Sequence, residues 1–246
     1  MKTYLQETQL LNYSDPLIQK LISTNGWATT IQKEQILGIY NYVRDSILFG
    51  YNRADDIPAS EVMKDGYGQC NTKGVLLMAL LRAVGVPCRM HGFTIDKKLQ
   101  KGAMKGWYYR LSPQEIVHSW VEIYYENKWL NLEGFILDIP YLTQLQQKFG
   151  DCQGSFCGYG VATDNFKNPA IYWNENDTYV QKEGILRDLG LYDNPDAFFT
   201  RHQQSLKGLR KMVYRHVVRH LMNRNIRGIR NGHSGSSNGS TKLRFT

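Results

Sequence analysis

No stretch of this chain approaches the roughly 18 to 20 consecutive apolar residues that cross a bilayer, so no helical membrane span is expected from it. Cysteine is scarce too. Cys70, Cys88, Cys152 and Cys157 stand at scattered spacings, which in 246 residues do not make a disulfide framework. No His or second Cys pair joins Cys152 and Cys157 to complete a zinc site, so no metal or other cofactor is expected. The opening residues Met1-Lys2-Thr3-Tyr4-Leu5-Gln6-Glu7-Thr8 lack the apolar core of a secretory signal, and a reducing cytoplasm is the expected compartment. Acidic residues are missing from one region only. From Arg201 to Thr246 there are eleven Lys or Arg and no Asp or Glu. The first 200 residues hold nineteen basic and twenty-two acidic side chains, a net of −3. The overall charge of +8 therefore belongs to the C-terminal end, the one part that is a candidate for an anionic partner such as nucleic acid or a lipid surface.

What is present reads as helices followed by a sheet. Asp15-Pro16 caps a helix entering Leu17 to Ile22. The spacing of Ile31, Ile36, Ile39, Tyr40, Val43 and Ile47 predicts a second helix across Thr30 to Leu48. From Cys70 to Val84 apolar residues surround the axis on all sides, the mark of a helix buried in the middle of its domain. Gly85-Val86-Pro87 ends it, and Cys88 to Ile95 reads as a strand. A loop with Lys97, Lys98, Lys101 and Lys105 follows, a candidate lid. His118 to Tyr125 and Trp129 to Gly134 then form a hairpin around Glu126-Asn127. The fold class is α+β, a buried helix packed on an antiparallel sheet. Leu206 to about Ile226 is a basic amphipathic helix, with Leu206, Leu209, Val213, Val217 and Leu221 on one face and Lys207, Lys211, Arg215 and Arg219 on the other. The expected divisions are residues 1–195 as a catalytic domain, 196–230 as the basic helix and 231–246 as a disordered tail.

Two segments carry chemistry: Gly66-Tyr67-Gly68-Gln69-Cys70 at the start of the buried helix, and His118-Ser119-Trp120 on a strand. A helix N-terminus offers unpaired N–H groups and a partial positive charge, which favour a thiolate. The backbone N–H of Cys70, with the Gln69 side chain, is a candidate oxyanion site. Trp120, with Tyr67, Trp107, Tyr108 and Tyr109, is a candidate lining of an acyl cleft. Strand parity offers a third member. With two residues in the turn, Tyr125 pairs with Lys128 and Trp120 with Glu133, so Glu133 falls diagonal to His118. An odd loop length would bring Asp138 to that face instead. Either carboxylate would orient the imidazole.

The run Gly-Gln-Cys at a helix start, then His-Ser-Trp-Val-Glu-Ile, then Trp-Leu-Asn-Leu-Glu-Gly, resembles the core of the transglutaminase-like superfamily over about Gln35 to Asp138, including Asp55-Asp56-Ile57-Pro58-Ala59-Ser60. The resemblance implies a papain-like fold with Cys70 as nucleophile, His118 as general base and acid, Glu133 as the orienting carboxylate and a thioester acyl-enzyme. The family usually carries Asp where Glu133 stands. Calcium-dependent crosslinking members have further domains and acidic metal loops that this sequence lacks, so hydrolysis of a peptide or amide is expected over crosslinking. The competing expectation is a non-catalytic protein that keeps the fold and works through its basic C-terminal end.

Overall fold

The centre of the fold is the helix that the sequence makes apolar on every side. The computed structural model describes residues 1–204 and 208–232. Among them no helix is long and apolar enough to cross a membrane. In chain order the elements are α1 (Pro16–Asn25), α2 (Gln32–Asp45), β1 (Leu48–Phe49), α3 (Ala59–Asp65), β2 (Tyr67–Gly68) and α4 (Cys70–Ala83), then β3 (Cys88–Asp96), α5 (Gly106–Leu111), β4 (Glu115–Tyr125) and β5 (Lys128–Leu132). They continue with α6 (Ile139–Lys148), β6 (Phe156–Gly158), β7 (Val161–Thr163), β8 (Ile185–Tyr192), α7 (Pro195–Arg201), α8 (Leu209–Val213), a π-helical turn (Tyr214–Val218) and α9 (Arg219–Arg230). The fold is α+β. α4 lies on a four-stranded antiparallel sheet of order β5-β4-β3-β8, with α2 and α3 against its other sides.

Residues Cys70 to Arg82 of α4 are all buried. Its two long cations are held by carbonyls: Lys73 Nζ donates to Arg44 O (3.1 Å) and Ile136 O (3.0 Å), and Arg82 donates through its Nη groups to Gln6 O (2.7 Å) and Cys88 O (2.8 Å). Burial lowers the Lys73 ammonium to about 7, since an unpaired charge is costly away from water. The β4–β5 hairpin turns at Glu126 and Asn127, both at positive φ (47° and 61°), the backbone a two-residue turn requires. Tyr125 pairs with Lys128 and Val121 with Leu132.

The structure departs from the sequence reading in three places. The second helix stops at Asp45, because Leu48 and Phe49 pair in parallel with Tyr67 and Gly68 through Leu48 N–H to Gly66 O and Gly50 N–H to Gly68 O, both 3.0 Å. The lysine-bearing loop leads into α5, and Leu99 and Gln100 within it are buried. The third departure is the C-terminal helix. Its buried residues are Val218, Met222, Ile226 and Ile229, while Val217 and Leu221, expected on the apolar face, are exposed. The π-helical turn at Tyr214–Val218 holds one residue more than an α-turn and rotates the face accordingly. The buried face joins the main core, so this helix is no appendage. Leu206 and Lys207 lie outside the described residues, as do residues 233–246 of the tail expected to be disordered.

Candidate active site

Cys70 is the first residue of α4 and 8% exposed. The chain reaches it through Gly68, where a Cβ would stand 2.7 Å from Thr72 Oγ1 and 2.9 Å from Lys73 Cγ. The Gln69 N–H donates to Thr72 Oγ1 (3.1 Å), which closes the helix start. As the first residue of α4, Cys70 belongs to the turn whose N–H groups have no partner within the helix.

His118 comes to this place because β5 is short. β5 ends at Leu132, opposite Val121, so the first half of β4 has no strand on that side. Asn71 joins that edge to α4: its Nδ2 donates to Val117 O (3.2 Å), and its Oδ1 accepts from Ser119 Oγ (2.9 Å). Residues 117 and 119 flank His118, so the neighbour of Cys70 in sequence fixes the strand on both sides of the histidine. His118 is fully buried.

Glu133 follows directly on β5. Its Oε1 lies 2.8 Å from His118 Nε2, and its Oε2 accepts the N–H groups of Val180 (2.8 Å) and Gln181 (2.9 Å). A carboxylate only accepts, so Nε2 carries the proton and Nδ1 is left without a hydrogen bond. Burial on its own lowers the His118 pKa. The Cys70 sulfur in its thiolate form and the Glu133 carboxylate outweigh it and hold the imidazole above its ordinary value. Gly134 lets Glu133 sit here: a Cβ at 134 would stand 2.6 Å from Tyr40 Oη and 2.7 Å from Ile171 Cα.

Asp138, the alternative carboxylate, is committed elsewhere. It caps α6 by accepting from Tyr141 N–H (3.0 Å), and it accepts from Phe49 N–H (2.8 Å) and from Arg230 Nε (2.9 Å) and Nη2 (2.7 Å). Burial pushes its pKa up, but Arg230 outweighs that and holds it below the usual carboxylate range. Arg230, whose charge the sequence offered to an anionic partner, is thus taken up internally. Trp120 is not at the cavity described below. It shares the His118 face of β4 and packs on Phe93 and Tyr179, at ring-centroid distances of 4.1 and 5.6 Å. Gln69 does face the cavity, but its Nε2 donates to Asp55 Oδ1 (2.6 Å), leaving one of its two N–H donors.

A cavity of about 410 Å³ opens in front of Cys70. Asp55, Gln69 and Asn71 lie by the sulfur, Met104, Trp107 and Leu111 form one side, and Val218 and Met222 line it from the C-terminal helix. Burial pushes the Asp55 carboxyl up to about 6, against the hydrogen bonds from Gln69 and Asn71 that lower it. Asp55 was quoted in the sequence motifs without a role, Asn71 was not singled out, and the wall from the C-terminal helix had no signal in the periodicity. Among the described residues no group of three or more His, Cys, Asp or Glu is gathered to hold a metal ion.

Residues 21–134 match the model of the transglutaminase-like superfamily. No curated protein matches the chain. Two solved structures are similar at low identity. One is a Cytophaga hutchinsonii protein described as a "putative cysteine protease", with 13% identity and a TM-score of 0.43 over 78% of this chain and 47% of that one. The other is red sea bream transglutaminase, with 15% identity and a TM-score of 0.31 over 54% of this chain and 26% of that one. The chain therefore spans under half the length of either.

Proposed function

We propose, from the premise that residues 21–134 form a transglutaminase-like core, that this chain is a cysteine enzyme acting on amide or peptide bonds. The observation that carries the reading is the buried His118 Nε2 to Glu133 Oε1 pair at 2.8 Å, which leaves Nδ1 for a thiol at a helix N-terminus. In the proposed reaction His118 Nδ1 takes the Cys70 proton to form a thiolate–imidazolium pair, and the sulfur then attacks the substrate carbonyl carbon. The oxyanion forms beside the Cys70 N–H and the remaining Gln69 N–H. The C–N bond breaks, the leaving amine takes the proton from His118, and a thioester remains on Cys70. Water then gives its proton to the same imidazole and attacks the thioester, releasing acid and free thiol. Glu133 stays ionised and stabilises the imidazolium throughout. Water completes the cycle without a second substrate site, and hydrolysis is the reading taken over amine transfer.

Alkylation by iodoacetamide tests it. Cys70 is expected to react faster than Cys152, which is more exposed, and to lose that advantage in His118→Ala. A Cys70 no faster than Cys152 would end the enzyme reading. Cleavage of a peptide library with and without added hydroxylamine then reports whether water or amine resolves the thioester.

One observation favours a second reading, an anionic partner for the C-terminal helix. Arg210, Lys211, Arg224 and Arg227 are exposed, and none has an acidic partner among the described residues. Binding to nucleic acid or anionic vesicles would weaken steeply with salt and with Arg224→Glu/Arg227→Glu. Affinity unchanged by both would remove this reading.

A further inference from the structure

The cavity at Cys70 is built asymmetrically. Next to the sulfur lie polar groups suited to an amide: Asp55, Gln69 and Asn71. Away from it the walls are mostly apolar, with Gln100, Ser112 and Gln204 among the few polar linings, and charged linings such as Asp56, Arg210 and Lys211 are exposed at the rim. A volume of about 410 Å³ falls in the range of small-molecule sites, roughly 300–1,000 Å³.

The wall from the C-terminal helix is fixed in place. Asn223 holds both backbone groups of Tyr51: its Oδ1 accepts the N–H (2.7 Å) and its Nδ2 donates to the carbonyl (3.0 Å). Asn225 Nδ2 donates to Gly102 O (2.7 Å) and Ala103 O (2.9 Å), directly before the cavity residue Met104. Between these anchors and the rim lies the π-helical turn, and it turns Val218 and Met222 inward in place of Val217 and Leu221. Such turns cost backbone regularity and are frequent at functional sites.

We infer that this cavity is an acyl pocket for a long apolar acyl group, with Val218 and Met222 of the C-terminal helix limiting its depth. The inference rests on Cys70 being the nucleophile and goes beyond it to the substrate's acyl side. The scissile carbonyl lies by Asn71 and Gln69, and the apolar chain runs between the Met104 side and the C-terminal helix. Burial of each further methylene in such a pocket is worth about 0.8 kcal/mol, or roughly fourfold in affinity.

The probes are iodoacetamide and its N-hexyl and N-decyl derivatives, each forming an S–C bond at Cys70 with loss of iodide. Mass spectrometry reads the rates, with Cys152 as internal reference. The wild-type Cys70 rate, divided by that of Cys152, is expected to rise at least tenfold from iodoacetamide to the N-decyl reagent. Met222→Trp, and separately Val218→Phe, should bring that ratio within about twofold of one. Because the readout compares two reagents on one variant, a general change in thiol reactivity cancels. A flat or falling chain-length profile with a fast Cys70 overturns the pocket and leaves the enzyme reading standing. Persistence of the full preference in both variants overturns the role of the helix. An inert Cys70 overturns both readings together.

Discussion

Glu133→Gln is the substitution that tests the site most directly, because its outcome follows from counting donors. Three N–H groups point at the Glu133 carboxylate: His118 Nε2–H at Oε1, and Val180 and Gln181 at Oε2. Gln offers one oxygen and one NH2. If its oxygen stays with the two backbone donors, its NH2 faces Nε2 and the histidine must hold its proton on Nδ1. If the oxygen turns to His118, two buried backbone N–H groups confront an NH2, each unsatisfied donor costing about 1–3 kcal/mol. Two donors outweigh one, so the first arrangement is favoured. It puts the proton on the nitrogen that must accept one from Cys70. The expected fall in turnover is about 10⁴-fold, the scale of a carboxylate-to-amide change in a serine-protease triad and equal to about 5.4 kcal/mol of barrier. Alkylation of Cys70 at pH 6 should slow at least tenfold, with Cys152 as the unchanged reference. The comparison variant is Asp138→Asn, which lies outside the pair and should alter stability more than thiol reactivity. If Glu133→Gln keeps full reactivity, or if Asp138→Asn abolishes it and Glu133→Gln does not, the tautomer argument is wrong.

Three further outcomes follow from single contacts. Arg230→Met strips a fully buried Asp138 of its bidentate partner, and breaking a buried pair costs about 3–5 kcal/mol, unless undocking of the helix limits the loss. Each kcal/mol lowers Tm by about 2–4 °C in a chain of this size, so an unchanged Tm together with unchanged proteolysis of residues 209–230 would refute the docking. The Asp138 pKa is lowered, so its stabilisation is present above the unfolded value of about 3.9 and lost as pH falls through the folded one; Arg230→Met should reduce that acid-side loss. Gly134→Ala drives a methyl into Tyr40 Oη and the Ile171 backbone, and should cost about 1–3 kcal/mol in denaturant melts while also slowing Cys70 alkylation by displacing Glu133. Asp55 has the opposite sign to Asp138. Its folded pKa of about 6 is raised, so its contribution is full below about 3.9 and disappears as pH rises through about 6. Relative to Asp55→Asn, the wild type should lose on the order of 1–3 kcal/mol between pH 4 and pH 7, and parallel pH profiles for the two would count against a raised Asp55 pKa.

The parts of the fold legible in the sequence were those set by a local period or a short turn. The all-round apolar pattern of residues 75–84 marked α4, and a two-residue turn at Glu126-Asn127 was enough to pair Tyr125 with Lys128, although the ladder stops one pair short of the expected Trp120–Glu133. What could not be read depends on contacts distant in sequence. Nothing local tells that β5 stops at Leu132, that Val180 and Gln181 come back to hold Glu133, or that Phe49 pairs beside Gly68 and ends α2 early. β8 was hidden because it is an edge strand with no buried residue, so no buried face marks it in the sequence. The C-terminal helix was read with a strict 3.6 period, and one π-helical turn moved the buried positions from Val217 and Leu221 to Val218 and Met222.

That displacement bears on how reactivity and selectivity divide along the chain. Cys70, Asn71, His118 and Glu133 all fall within residues 21–134, the segment that matches the superfamily. The groups that hold the carboxylate's second oxygen and close the cavity fall outside it, at Val180, Gln181, Val218 and Met222. Asp138 shows the coupling between the two parts. Its oxygens are occupied by Phe49, Tyr141 and Arg230, and the Arg230 contact anchors the far end of the helix whose middle faces the cysteine. The carboxylate that an odd loop length would have delivered to His118 instead holds the wall of the cavity. On the proposed acyl pocket, changes in residues 213–222 are expected to alter which acyl group fits while leaving the imidazole and its partner untouched. Removing the helix outright cannot do this cleanly, since Val218, Met222, Ile226 and Ile229 belong to the same core as α4.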